Sequence, residues 1–280
     1  VISSSWTQVP PPPGPPPAPA EMPAEGFKAP GVEDFNIPPI FEGIPVLEWI
    51  DKVSIQFVFA AIIVYAFYAL ATKNAKIIPG RLQFAAEKFQ GLVRDQIARD
   101  NIGPDFRRYV PYLVALFAFI LVNNVFGIFP FIQFPSFSHP GMAYALAIVT
   151  WLIYNYVGIR KQGFGGYIRL QTWPPGVPWA VRIVLTPIEF ISNFILRPVT
   201  LSLRLFGNML AGHLLLLVFI FGGEYMLTVA DSLVLNILSP FAFLFAIVMT
   251  FFEAFIQVVQ AYIFTILTAS YIGASLADEH

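Results

Sequence analysis

This sequence predicts an all-α membrane protein of about five membrane-embedded helices. The last two are long and strongly tilted as a hairpin, and an amphipathic interfacial helix accompanies them. Three observations carry that prediction. Of 280 residues, 57% are hydrophobic and only 12% charged, with mean hydropathy +0.69, whereas a soluble domain carries about 25% charged residues. The apolar residues gather into uncharged runs near or beyond the ~20 needed to span the hydrocarbon. The charges gather between those runs and segregate by sign. A net charge of −1 argues against a broadly basic nucleic-acid binder. The absence of cysteine excludes a disulfide framework, a thiolate nucleophile and a Cys-ligated metal. No metal site and no cofactor is expected.

Residues 10–19 carry eight prolines, which favours a polyproline II arm with no internal hydrogen bonds. Such an arm serves as a stiff spacer or as a docking ligand. Residues 1–45 read as an extended arm and 46–280 as the membrane domain. The first span is 53–71. Half of the sixteen basic residues then fall between 73 and 108. Within that segment Leu82, Phe89, Leu92, Val93 and Ile97 share one helical face, so 80–98 reads as an amphipathic helix on the membrane surface. The next spans are 110–130 and 142–159, joined by a short turn through FPSFSHPG. Arg160, Lys161, Arg169 and Arg182 form a second basic segment.

The remaining apolar regions, 183–222 and 232–275, are each near 40 residues. A helix of that length reaches ~60 Å against a ~30 Å hydrocarbon core, so each is tilted, bent or broken. Pro187 and Pro198 permit bends in the first. The segments 73–108 and 160–182 together hold twelve basic residues, whereas the opposite side holds two basic and nine acidic. The positive-inside rule then puts the N-terminus outside. Five crossings return the C-terminus inside, which favours long tilted helices over broken pairs.

The polar residues of the last two regions carry the chemistry. Arg204 cannot shed its proton, and at mid-bilayer it costs at least about 2.5–3.5 kcal/mol. With Arg204 set at zero and 100° per residue, Arg197 falls at about 20°, Asn208 at about 40°, Ala211 at about −20°, and Gly207 and Glu189 at about −60°. Small residues on that face let another helix approach closely. His213 falls on the opposite face, about 13–14 Å further along the axis. Glu253, Gln257 and Gln260 lie within an arc of about 60° on the last helix, a chain of hydrogen-bonding groups that water can join. The amides could instead serve as interhelical hydrogen bonds, the histidine as a packing residue, and Arg182 and Arg197 as snorkelling anchors. Trp49, Tyr109, Trp151, Trp173 and Trp179 read as interface belts. A second functional reading is an ion-coupled secondary transporter or channel with a midplane Arg/His/Glu site. That reading predicts an internal repeat, and none is found.

PIEFIS at 187–192, RPVTLSLRLFGNMLAGH at 197–213 and QAYIFTILTASYI at 260–272 resemble subunit a of the F-type ATP synthase, the stationary proton-channel subunit beside the rotating c-ring. NNVFGIFP at 123–130 is similar to that family's Asn- and Pro-containing stretch. By position, the resemblance implies that Arg204 faces the ring carboxylate, with Asn208 and Gln260 as polar neighbours and Gln257 on the same stripe. His213 and Glu253 would line the outer half-channel, Glu189 the inner one, and Asn124 matches the family's asparagine. Gly127 stands where some bacterial members carry Asp, so no acid role transfers there. The implied partners are the c-ring, a peripheral stalk, other membrane stator subunits and the lipid bilayer. The subunit would itself be non-catalytic, and no Gly-x-x-x-x-Gly-Lys-Ser/Thr loop is present. The His-then-Glu order and the non-Met start imply a mitochondrial inner membrane, with the N-terminus in the intermembrane space and the C-terminus in the matrix.

Overall fold

A computed structural model describes residues 27, 29–31, 52–73, 75–129, 136–173, 178–229 and 232–277. Most of the proline arm and Trp49 lie outside these residues. Of the arm, Phe27 rests its ring 5.7 Å from that of Tyr225. The described residues form helices and no strand. Five helical runs are long and apolar enough to cross a membrane: Lys52–Thr72, Phe106–Ile128, Pro140–Thr172, Val181–Thr228 and Leu233–Leu276.

Helix α1 (Lys52–Thr72) packs Phe57 edge-on against Phe119 at 4.6 Å and Phe137 at 5.6 Å. After it, α2 (Arg81–Leu92) runs through a π-helical turn, Val93–Ala98, into α3 (Arg99–Ile102). The amphipathic face divides along its length. Leu82 is 43% exposed, while Val93 and Ile97 are fully buried, because α4 (Phe106–Ile128) and the end of α8 (Leu233–Leu276) close over them. The polar side keeps Asp95 between Arg94 at 2.8 Å and Arg99 at 3.4 Å. The hydrogen bond from Arg94 holds that carboxyl below the usual carboxylate range, although such exposed pairs add little stability.

Gly273 sets how closely α3 and α8 approach. A Cβ there would stand within bonding distance of the Asn101 carbonyl oxygen, and Ser270 Oγ donates to Asn101 Oδ1 at 2.8 Å beside it. Gly273→Ala is therefore expected to cost about 1–3 kcal/mol by overpacking. The measurement is the thermal midpoint of the detergent-solubilised complex, and an unchanged midpoint would mean that α3 yields freely.

Helix α5 (Pro140–Thr172) is two limbs. Gly163 has φ 74° and ψ 164°, a region open to glycine but costly for other residues. The second limb folds back on the first. Tyr167 donates its hydroxyl proton to Asn155 Oδ1 at 2.9 Å, and its ring lies so near Gly158 that a Cβ there would clash. Residues 164–172, which the charge pattern reads as a basic loop, are therefore a short re-entrant helix. Trp151 is placed in the first limb and packs, half-buried, against the core. Trp173 and Trp179 are exposed.

The fourth crossing is α6 (Trp179–Phe190), a π-helical turn Ile191–Leu196, and α7 (Arg197–Thr228). Pro198, without an N–H, cannot bond the carbonyl four residues back. The Arg197 N–H instead reaches five residues back to Ser192 O, the register of a π-bulge. At 1.5 Å per residue the 48-residue run Val181–Thr228 and the 44-residue α8 exceed roughly 65 Å. Both are more than twice the hydrocarbon thickness. They pack against each other as the chain's most extensive helix pair, with α4 and α5 behind them.

A candidate proton path in two polar clusters

Helices α7 and α8 run antiparallel, so residues after Arg204 on α7 meet residues before Gln260 on α8. Asn208 Nδ2 donates to Gln260 Oε1 at 2.8 Å. One turn further, Gln257 Nε2 donates to Glu253 Oε1 at 3.0 Å and lies 3.6 Å from Met209 Sδ. Asn124 Nδ2 on α4 donates to the Gln257 carbonyl at 2.9 Å. A Cβ on Gly212 would stand 3.3–3.4 Å from Glu253 Cγ, Cδ and Oε1. The glycine thus makes room for the carboxyl beside buried His213. Asn124 Oδ1, Gln257 Oε1 and Gln260 Nε2 are buried without a hydrogen-bond partner among the described residues. A dry orphan of that kind costs about 1–3 kcal/mol, so three along this interface favour water as their partner.

A second cluster lies toward the other end of the same helix pair. Asn193 Nδ2 is 2.5 Å from Gln171 O and 3.3 Å from Glu189 Oε2. Tyr154 donates its hydroxyl proton to Asn193 O at 3.4 Å. Arg197 donates to Gln171 Oε1 at 3.4 Å and sits 5.0 Å from the centre of the Tyr271 ring. It is a cluster member, not a snorkelling anchor. A helical wheel puts Glu189 on the Arg204 face, but each residue of a π turn advances less than 100°. The structure instead turns Glu189 toward Asn193, beside the re-entrant limb of α5. Asn193, Gln171, Tyr154 and Tyr271 were not singled out from sequence. The Glu189–Asn193 spacing of i, i+4 and the glycine-rich 163–166 reversal are the signals that point to them.

Between the clusters the interface is apolar. Leu201, Leu205, Ala261 and Phe264 are at most 2% exposed. The buried hydroxyls there bond their own helices: Ser202 to Val199 O, Thr265 to Ala261 O and Thr268 to Phe264 O. Arg204 stands at this level on the open side, with Thr200, Asn208 and Ala211 on the same exposed face. It has no ion pair among the described residues. No group of three or more metal-capable side chains occurs among them.

Two polar clusters at different depths, an apolar septum between them and an unneutralised arginine on an open face accord with the resemblance in the motifs. A family model described as ATP synthase A chain matches residues 53–273. The chain belongs to this family. Relatives named ATP synthase subunit a include one from Nocardioides, 47% identical over 91% of this chain and 95% of that protein. One from Pseudarthrobacter chlorophenolicus is 45% identical over 91% and 95%, and one from Frankia alni is 44% identical over 91% and 89%. As a member of the family, the chain is a component of an ATP synthase and serves its proton translocation, and the secondary-transporter reading is not favoured.

The same relatives overturn the mitochondrial placement. They are actinobacterial, and in bacteria this subunit sits in the plasma membrane, with no intermembrane space or matrix beside it. The His-then-Glu order misled for a physical reason. His213 and Glu253 come from the two packed helices α7 and α8, so their order along the chain carries no information about the compartment.

Proposed function

We propose that this chain is the stator half of a rotary proton path, with two offset half-channels that meet a ring of carboxylates at Arg204. In this reading a proton enters past His213 and Glu253, with Gln257 donating to the carboxyl and Asn124 bracing Gln257 through its carbonyl. It neutralises a c-ring carboxylate, travels round with the ring, and leaves through the Glu189–Asn193 cluster. Asn208 and Gln260 brace α7 against α8 beside the arginine. No bond to phosphate is made or broken in this subunit. Its further partners are the peripheral stalk and the other membrane stator subunits. The single observation that carries the reading is the open, charged face of α7 between two buried polar clusters. A lone cation facing hydrocarbon costs several kcal/mol, and a carboxylate-bearing partner on that face offsets the cost.

The chain has no cysteine, which makes a cross-linking test clean. Cysteines at Thr200 or Ala211, paired with a cysteine on the ring's outer helix, are expected to form disulfides in the assembled complex. Rotation should stop on oxidation and resume on reduction. A cysteine at Tyr144, exposed on α5, should not cross-link. Cross-linking from Tyr144 in place of the α7 positions would put the ring on another face.

A further inference from the structure

On the side of the membrane domain that carries the basic loops, three helix ends enclose a cavity of about 340 Å³. The first turn of α4 contributes Asp105, Arg108 and Tyr109. The end of the first limb of α5 contributes Tyr156, Arg160 and Lys161, and Leu276 of α8 closes the far wall. We propose that this cavity binds the phosphate group of an anionic phospholipid from the adjoining leaflet. The proposal stands independently of the proton path.

Three cations face one carboxylate here, and the three are not equivalent. Lys161 Nζ donates to the Leu276 carbonyl at 2.5 Å, while Gln162 Nε2 donates to Ser275 O at 3.3 Å and Ala277 O at 2.8 Å. Together they cover the last carbonyls of α8, so the negative end of that helix does not oppose an anion. Arg108 and Arg160 are left with no ion pair among the described residues. Arg160 donates to the Tyr156 hydroxyl at 3.0 Å, which fixes the plane of its guanidinium while most of its N–H groups stay unused. Arg108 stands in the first turn of a 23-residue helix, whose positive end favours negative charge. Each of the two guanidinium groups, from separate helices, carries the planar N–H fork that grips phosphate oxygens bidentately.

Location selects a lipid over a soluble phosphate. The cavity lies where α4 enters the membrane and α5 leaves it, at headgroup level, with Tyr109 and Tyr156 as interfacial aromatics. Basic pockets between membrane helices on the positively charged side are sites for anionic headgroups. From the cavity an exposed apolar ridge runs back along α5 through Tyr156, Leu152 and Ile148, spaced i, i+4 and i+8 and each about half exposed or more. An acyl chain can lie along that ridge while its phosphate sits between the arginines. Asp105 beside the two arginines suits a singly charged phosphodiester with a headgroup hydroxyl to donate, more than a doubly charged free phosphate.

The test uses the assembled complex, reconstituted in phosphatidylcholine vesicles containing phosphatidylglycerol and re-extracted for lipid mass spectrometry. The wild-type complex is expected to retain roughly ten- to thirtyfold more phosphatidylglycerol than the Arg108→Gln/Arg160→Gln variant, from the worth of two basic contacts. Arg107→Gln, an exposed arginine in the same helical turn but outside the cavity, should retain as much as wild type. Excess inorganic phosphate should release none of the lipid. Arg160→Gln alone, expected to retain severalfold less, serves if the double variant does not assemble. Equal retention by the arginine variants overturns the site, and release by inorganic phosphate overturns the lipid assignment.

Discussion

Arg204→Ala is expected to lower proton-driven ATP synthesis in reconstituted vesicles by more than about a hundredfold, with the complex still assembled. At an effective dielectric of 20, a guanidinium 4 Å from a carboxylate contributes about 4 kcal/mol, a factor of roughly a thousand in the population of the ionised ring site. Without it, a ring carboxylate reaching the α7 face has no reason to release its proton there. The fixed charge that keeps protons from passing directly between the clusters is lost as well. Passive proton leak should therefore rise as synthesis falls, which a simple assembly defect would not produce. Arg204→Lys should recover synthesis only in part, because an ammonium keeps the charge but not the planar fork. Assembly should survive, since Arg204 is exposed and without an ion pair among the described residues. Normal coupled synthesis by the alanine variant would remove the central role given to this residue.

The first three crossings were legible because each is an uncharged run of about the length the hydrocarbon demands, and the last two because they carry only Glu189, Arg197, Arg204 and Glu253 in some 40 residues each. For the two regions near 40 residues, length left tilt, bend or break open, and the charge pattern of the loops, through the count of crossings, favoured tilt. What was not legible depends on backbone events that hydropathy does not register. The reversal at Gly163 folds residues 164–172, with Arg169, back as a re-entrant limb that brings Gln171 to Asn193. Periodicity cannot see this, because a single left-handed residue leaves the side-chain pattern on either side intact. The π turn before Arg197 likewise shifts helical phase, which is why Glu189 leaves the Arg204 face. Within α7 and α8 no such break intervenes. There Arg204, Asn208 and Ala211 fall on one exposed face, and Glu253, Gln257 and Gln260 on one buried face, as 100° per residue requires. The apolar septum was invisible for a different reason: Leu201, Leu205 and Phe264 look like any membrane residues until the clusters above and below them are known.

Replacing His213 or Glu253 alone with leucine is expected to reduce proton-driven synthesis roughly a hundredfold or more, the scale of losing one positioned proton-transfer group. Exchanging the two, His213→Glu with Glu253→His, is expected to be milder than either single loss. Glu253 lies against Gly212, the residue before His213, and Gln257 Nε2 already donates to its carboxylate at 3.0 Å. A glutamate on α7 and an imidazole on α8 would restore one acid and one base to that interface. The amide of Gln257 offers both a donor and an acceptor, and its Oε1 is without a partner among the described residues, so it can serve either neighbour. The septum of Leu201, Leu205 and Phe264 is untouched by the exchange, so proton leak should stay at the wild-type level while synthesis partly recovers. Proton flux and ATP synthesis measured in the same vesicles separate the cases. Equal damage in all three variants would mean that His213 and Glu253 do not line one path, and the outer cluster would then be packing between α7 and α8.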